Sequence, residues 1–494
     1  MNKSSLSILI GLVLFVTKTL ATVDSKISVN SEGFFQDKFG RVRIFHGFNS
    51  VNKGFPWYPT HLLNLTRLKL YQEWGFNAVR LGTMWSGAEP SQGNFNQTYF
   101  DITGKIIDAL GSYGLYSFLD MHQDVMSSKY NTYDGIPLWL VNSLPKSSFP
   151  YPFPFSQKPG GANWGMNYLT VEVGEKFQYF YHNYSSSLDR WGDFWHKVAA
   201  SYGTKDSVLG YELINEPWAG NVYGDPKLIA PGEAGKLNLL PAYNHLVNRI
   251  SEVDQNTIIF YEPVTWGIYG SGSGPTGCGF DQVPGGPGNR HRSTLSYHFY
   301  CWLLQGADSS KPYPHWEHFV CDDLFLQQMF RSLQKDTAYL GGGKFLTEFG
   351  ECGPDKSNSS INTVECETVV QQCDDNLQSW TYWDTEFFNG DGSVQTLRLK
   401  AFSRAYPQAT AGTPSLIKFD LKTAEFKFEY KLNANISQPT EVYLPMKMHY
   451  PNGVNVKITP EMPFKIAGNM LFITNSGAKK LSDGTKISVN VTRK

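Results

Sequence analysis

The 494-residue chain has almost no net charge: 43 Lys and Arg stand against 44 Asp and Glu, for a formal value of −1. A nucleic acid or an anionic membrane surface as main partner calls for a basic excess, so neither is expected. Beyond the N-terminus there is no second long apolar run, which leaves nothing in the body of the chain to cross a bilayer. No glycine fingerprint for a nucleotide follows any early strand-like segment. Cysteine is absent before Cys278, and the six present (Cys278, Cys301, Cys321, Cys352, Cys366 and Cys373) resemble no zinc motif. No metal or organic cofactor is expected.

Aromatic residues, in contrast, are plentiful, at 15% of the chain with 13 Trp and 27 Tyr. Flat rings fill a large core and also stack on sugars. Lys3 precedes a mostly apolar run, Leu6 to Val16, and small residues follow near Ala21. The run is short for a bilayer span and reads as an export signal over residues 1–21, with an uncleaved anchor as the alternative. Export leads to an oxidising compartment, where an even number of cysteines suits disulfides in any of about fifteen pairings. Acceptor sequons at Asn64, Asn96, Asn183, Asn358, Asn435 and Asn490 fit a secretory product. The expected destination is the extracellular space or a secretory-pathway lumen, digestive and lysosomal settings included.

Strand-like runs at 44–51, 78–84, 116–121, 208–214, 257–262, 295–300, 344–348 and 379–383 alternate with helix-like segments. Ile102, Ile106, Leu110 and Tyr113 share a helical face. So do Phe177, Tyr181, Tyr184, Leu188, Trp191 and Trp195, and again Leu246, Ile250 and Val253. Gly341, Gly342 and Gly343 stop another helix before the seventh strand. The alternation predicts an α/β fold, a (β/α)8 TIM barrel, over residues 22–406, with a doubly wound open sheet as the alternative. Within it, Ile27 to Ile44 reads as a hairpin at the barrel bottom. Residues 407–414, rich in small residues and Pro, read as a linker. Over 415–494, alternating apolar residues (Ile417, Phe419, Leu421; Phe426 to Leu432; Val442 to Tyr450) and turns at Pro451-Asn452-Gly453 and Ser482-Asp483-Gly484 predict a C-terminal antiparallel β-sandwich domain.

A barrel of this kind displays its chemistry at the carboxyl ends of the strands. Polar and aromatic residues gather there: Arg80 and Trp85 after strand two, Asp120, His122, Gln123 and Asp124 after strand three, and Asn215 and Glu216 after strand four. His298 and Tyr300 follow on strand six, Glu348 on strand seven and Trp383 on strand eight. Glu216, in Leu213-Ile214-Asn215-Glu216-Pro217, and Glu348, in Thr347-Glu348-Phe349-Gly350, are the carboxyl pair that glycosidic bond cleavage requires. Strands four and seven lie across a barrel, so the two can meet. Asn215 can bond a sugar 2-hydroxyl beside Glu216, which is assigned as acid/base. Arg80 and Tyr300 can hold Glu348 ionised as the nucleophile. Glu262 and Glu89 remain open as subsite ligands. His122 and His298 lack a third metal ligand of fitting spacing, so hydrogen bonding to substrate or structure is their expected role. Trp383 reads as a floor under the cleaved sugar, with barrel core as the alternative. The long segments 125–175, 263–294 and 302–323 are expected to shape the cleft.

Arg80, His122, Asn215, Glu216, His298, Tyr300, Glu348 and Trp383 resemble, in order and strand placement, the active-site pattern of glycoside hydrolase family 5 over about residues 30–405. Asp120-Met121-His122-Gln123-Asp124, Gly210 through Trp218 and the C-terminal β-domain are similar to endoglycoceramidases within that family. That resemblance implies a secreted, retaining enzyme that cuts between oligosaccharide and ceramide in ganglioside-type glycosphingolipids. It implies that Asp120, His122, Asp124, Lys53 and Trp164 contact sugars on the non-reducing side, and that aromatic loops after strand six cradle lipid. Transient contact with lipid aggregates or a membrane surface follows, and no obligate protein partner is evident. Two other readings stay open: another family 5 hydrolase (glucosylceramidase-like, or acting on β-glucan or mannan), and a non-catalytic sugar- or lipid-binding protein.

Overall fold

The eight expected strands form a closed, all-parallel barrel. They are β1 (His46–Ser50), β2 (Ala78–Gly82), β3 (Tyr116–Asp120), β4 (Val208–Glu212), β5 (Ile258–Tyr261), β6 (Ser293–Phe299), β7 (Gly343–Phe349) and β8 (Ser379–Tyr382). In β1 to β6 every residue is buried, as expected of strands covered on both faces. Gly210 is needed where β4 meets β5, since a Cβ there would lie 2.2 Å from the Phe260 ring. The computed structural model describes residue 23 and residues 25–269, 274–304, 307–308, 310–354, 359–383, 387–476 and 480–494. The export segment at 1–21 and the Asn358 sequon lie outside the described residues. Asn64 and Asn96, two of the other sequons, cap helices through their side-chain oxygens.

Helices α1 (Gln97–Ser112), α2 (Ser187–Tyr202), α3 (Leu240–Ser251), α4 (Gln327–Leu340) and α5 (Ile361–Asp375) are among those that surround the barrel. The aromatic face from Phe177 to Trp195 does not belong to one helix. The first helix ends at Tyr181, and Asn183, Ser185 and Ser186 take left-handed backbone angles before α2 begins. Asn tolerates that conformation through its short polar side chain, and the break leaves Tyr184 exposed. Val253 likewise falls past the end of α3 and is exposed.

The N-terminal hairpin plugs the bottom of the barrel. Phe35 packs edge-on against Phe45 and Phe345 and stacks on Phe260, within a cluster that includes Ile27, Val29 and Phe118. Its short strands, Ser28–Val29, Phe35–Gln36 and Val42–Arg43, also belong to a sheet of the C-terminal domain. The segment read as a linker is instead β9 (Tyr406–Thr410) and the start of β10 (Gly412–Phe419). Its small residues serve close packing: a Cβ at Gly412 would meet Lys431 O at 2.0 Å. β9 pairs with Val42–Arg43 on one side and with β12 (Thr440–Tyr443) on the other.

The sandwich comprises a seven-stranded sheet that includes the N-terminal strands and a four-stranded sheet of β10, β11 (Phe426–Leu432), β16 (Lys486–Arg493) and β13 (Val454–Thr459). β14 (Phe464–Ala467) and β15 (Met470–Ile473) complete the larger sheet. The alternation from Val442 to Tyr450 ends early, because Pro445 opens a helical turn at Met446–His449. The two domains are bonded directly: the Tyr406 hydroxyl donates to Gly75 O at 2.6 Å, and Tyr443 covers Gly75 closely enough to exclude any side chain there.

Two disulfides, Cys301–Cys321 and Cys352–Cys366, fasten the connections after β6 and β7, while Cys278 and Cys373 are free and buried. Beside the bridges, Asp322 and Glu365 form a buried carboxyl pair, with the Tyr313 hydroxyl donating to Glu365 at 2.9 Å and His318 bonded to Asp322. Burial and the like-charged partner push Glu365 well above its usual value, and burial first of all pushes Asp322 up to about 7. The folded values exceed the unfolded ones. The stability contributed is therefore full below about pH 4 and is lost as pH rises through 7. The pair is expected to lower the unfolding temperature by a few degrees between pH 5 and pH 8, on the order of 2 kcal/mol, and Glu365→Gln should remove that contribution. Equal pH dependence in wild type and variant, measured by calorimetry, contradicts this.

Candidate active site

The carboxyl ends of the barrel strands surround a cleft of about 600 Å³. Lys53, His122, Asp124, Trp164, Glu216, Tyr300, Glu348 and Trp383 line it, together with Tyr133, Lys158 and Glu351. Glu216 and Glu348 meet there. One carboxylate oxygen of each and a His298 ring nitrogen lie within 4.8 Å of one another. That spacing suits a nucleophile and an acid on one sugar and leaves too little room for the water of an inverting reaction, which needs about 6.5–9.5 Å.

Four residues expected at the substrate are not among the side chains that line the cleft. Arg80 and Asp120 have no exposed side-chain surface, and Asn215 and His298 are buried. They set the electrostatics of the site. Arg80 contacts Glu212 at 2.5 Å, Asp120 at 3.0 Å, Glu348 at 3.2 Å and Glu262 at 3.7 Å. It also donates to Asn215 Oδ1 at 2.9 Å and Asn49 Oδ1 at 3.1 Å. Its fork matches carboxylates two at a time, which an ammonium cannot do. The guanidinium supplies these carboxylates with positive charge, and we assign no metal ligands among them.

His298 Nδ1 lies 3.0 Å from Glu216 Oε1 and 3.0 Å from Glu348 Oε2, and its Nε2 lies 3.1 Å from Glu262 Oε1. Burial alone would lower the imidazole, but Glu262 and then Glu348 outweigh it and hold the ring protonated well above its usual value. Burial alone would raise Glu348, yet His298 and then Arg80 hold it down at about 2. Glu348 is thus ionised throughout the range where proteins work. The Tyr300 hydroxyl bonds to Glu348, and burial and that anion push its own value far up, so it stays a donor.

On the other wall, His122 Nδ1 contacts Asp120 at 2.7 Å, and its ring lies flat over Trp383, with centroids 5.5 Å apart and planes 3° apart. Lys53 bonds to Asp124 at 2.6 Å and sits 4.6 Å over the Trp383 ring. Tyr133 donates to Asp124 at 2.5 Å. Burial opposes ionisation of Asp124, but His122 and Lys53 prevail and keep it well below the usual range. These charged and aromatic groups form a wall that can hydrogen-bond and stack on a sugar. Trp383 is part of this wall and is not barrel core.

Asn49 and Glu212 were not evident from sequence; one is an ordinary strand residue, and the other looked like part of an apolar run. Glu89 is no subsite ligand, since it accepts from Trp85 Nε1 at 2.8 Å and from Gly93 N–H at 2.7 Å. Glu262 is buried below Glu216 rather than displayed to a ligand.

Residues 37–389 match the family described as Cellulase (glycosyl hydrolase family 5), and residues 404–491 match the glycoside hydrolase family 5 C-terminal domain. The chain belongs to glycoside hydrolase family 5. Among curated family 5 relatives, it is 34% identical to an endoglycoceramidase of Cyanea nozakii, over 95% of this chain and 94% of that one. It is 33% identical to an endoglycoceramidase of Hydra vulgaris, over 94% and 89%. Its fold matches endo-glycoceramidase II from Rhodococcus sp., solved as a ganglioside GM3 complex and as a lactosyl-enzyme intermediate. The TM-scores are 0.72 and 0.71, at 22% identity over 93% of this chain and 99% of that one.

The Arg80→Lys variant of this family 5 enzyme should lose about 100-fold in kcat, because a buried fork contact to Glu348 is gone. Weaker support for the Glu348 anion raises its pKa, so the acid limb of the kcat profile should move to higher pH. An unmoved limb, in kcat measured from pH 3 to 7, contradicts the role.

Proposed function

We propose that this enzyme hydrolyses the β-glycosidic bond between an oligosaccharide and ceramide in ganglioside-type glycosphingolipids, with retention of configuration. The observation that carries the reading is the pair Glu216 and Glu348, within bonding range of one imidazole at the foot of a polar, aromatic sugar wall. In the first step a Glu348 oxygen bonds to the anomeric carbon while that carbon's bond to the ceramide oxygen breaks. Glu216 gives its proton to the departing oxygen. In the second, Glu216 takes a proton from water, the water oxygen bonds to the anomeric carbon, and Glu348 leaves as carboxylate. The endoglycoceramidase relatives support this substrate.

The surface around the cleft supports a lipid aglycone. The connections that follow the strands expose large apolar side chains, including Phe55 at 91%, Trp316 at 59%, Phe149, Phe153 and Phe319. Such groups outside a cleft suit transient contact with a lipid aggregate. The N-terminal apolar run and the two disulfides support action outside the cytosol, in the secretory pathway or beyond it.

Incubation with a ganglioside should yield ceramide and the intact oligosaccharide, separable by chromatography. Sugar released only from a soluble β-glucan would instead favour a polysaccharide hydrolase. Glu348→Ala and Glu216→Ala should each lose at least about three orders of magnitude on ganglioside. A glycoside with a good leaving group should restore bond cleavage to Glu216→Ala alone. Trp316→Ser combined with Phe319→Ser should slow turnover of ganglioside in vesicles several-fold and spare a soluble aryl lactoside; equal loss on both contradicts the lipid contact.

A further inference from the structure

The Glu262 carboxylate, just past β5, touches Glu216 and the His298 ring without lining the cleft. Its Oε2 accepts the Glu216 backbone N–H at 3.2 Å. Glu216 is in the left-handed region, at φ 42°, a conformation that costs a non-glycine residue about 1–3 kcal/mol unless its surroundings impose it. Gln123 holds the same turn from the other side, donating to Asn215 O at 2.7 Å and to Glu216 O at 3.0 Å. The other Glu262 oxygen lies 3.1 Å from His298 Nε2.

The groups facing Glu262 come from every neighbouring element. His298 approaches from β6, and Arg80 at 3.7 Å from β2. Glu212 adds like charge from the end of β4, and the Tyr243 hydroxyl of α3 bonds to the Glu262 carbonyl at 2.8 Å. Across the whole site, six carboxyls (Asp120, Asp124, Glu212, Glu216, Glu262 and Glu348) face four cationic groups (Lys53, Arg80, His122 and His298). A buried excess of anions is costly, so protons must be stored on carboxyls. One belongs on Glu216, where acid catalysis needs it. Burial above all, with Glu212 adding to it, pushes Glu262 up to about 7 against the pull of His298.

We propose that Glu262 is a positioning residue for this reaction: one oxygen fixes the turn that aims Glu216, and the other keeps the His298 imidazole protonated and anchored. This rests on reading the site as a retaining hydrolase. With Nε2 in ion-pair contact with Glu262, the ring has a single Nδ1–H to share between two carboxylates at equal distance. It serves Glu348 while that group is the free anion. Once Glu348 is esterified and Glu216 has lost its proton, the same N–H serves Glu216. The cation thus stays in place while the negative charge moves across the site.

The sign of the pH effect follows. Below about pH 7 Glu262 holds a proton, so position 262 carries no charge in either wild type or Glu262→Gln; the amide keeps one of the two acceptor oxygens, which adds a loss that does not depend on pH. Above that, the wild-type carboxylate sustains the imidazolium and the amide cannot. In Glu262→Gln, His298 should therefore release its proton at least about 1 pH unit lower than in wild type. The kcat loss on an aryl lactoside should be at least about threefold larger at pH 8 than at pH 5, with KM little changed. Glu262→Asp should recover part of the alkaline limb.

The test is histidine-labelled NMR of the full-length enzyme, with the His298 signal assigned by its loss in His298→Asn, alongside the pH–rate profiles. The titration needs no substrate, so it still reports if the assigned substrate is wrong. A His298 titration identical in wild type and Glu262→Gln overturns the proposal. So does a rate loss of equal size at pH 5 and pH 8, which a merely structural role would produce. If Glu262→Gln fails to fold, the same two readings on Glu262→Asp decide, with a shift in either supporting the proposal and none overturning it.

Discussion

A single guanidinium with no exposed surface holds four carboxylates from four strands in one charge network. Arg80 leaves β2 pointing into the barrel, where the side chains of Asp120, Glu212, Glu262 and Glu348 converge. Removing one partner from such a buried set typically costs about 3–5 kcal/mol, while the intact set adds little net stability. Its value is preorganisation. Glu348 is ionised and held in place in the free enzyme, so in the proposed reaction the charges need not be rearranged.

The barrel separates this machinery into layers. The hairpin and an aromatic plug close the bottom, the charge network fills the middle, and the cleft opens at the top. The C-terminal sandwich shares a sheet with the N-terminal strands and is bonded to the barrel next to Gly75, away from the cleft. It braces the scaffold. In the proposed reaction, substrate selection falls to the long connections after the strands, which line the cleft with charged and aromatic groups and expose apolar ones.

Much of this was legible in the sequence, because strands covered on both faces must be short apolar runs and catalytic carboxyls must sit at their ends. Glu216, Glu348, Tyr300 and Trp383 fall in the cleft for that reason. Depth was harder to read. Arg80 and Asp120 share the polar character of cleft residues, and only three-dimensional packing shows that they lie beneath it. The role of Glu262 depends on two partners far away in sequence, His298 and the Glu216 turn, so its local motif carried no sign of it. Residues 407–414 resembled a linker because small residues and Pro serve flexible joints and tightly crossed strands alike. The break at Asn183 was hidden by apolar spacing that continues across it.

A 2-deoxy-2-fluoro lactoside with a good leaving group slows the second step more than the first and traps the sugar on its acceptor. Peptide mapping by mass spectrometry after that reaction tests the central assignment directly. The predicted result is one lactosyl adduct, on the peptide containing Glu348. An adduct on Glu216 or Glu262, or hydrolysis of the parent aryl lactoside with inversion and no adduct, would contradict it.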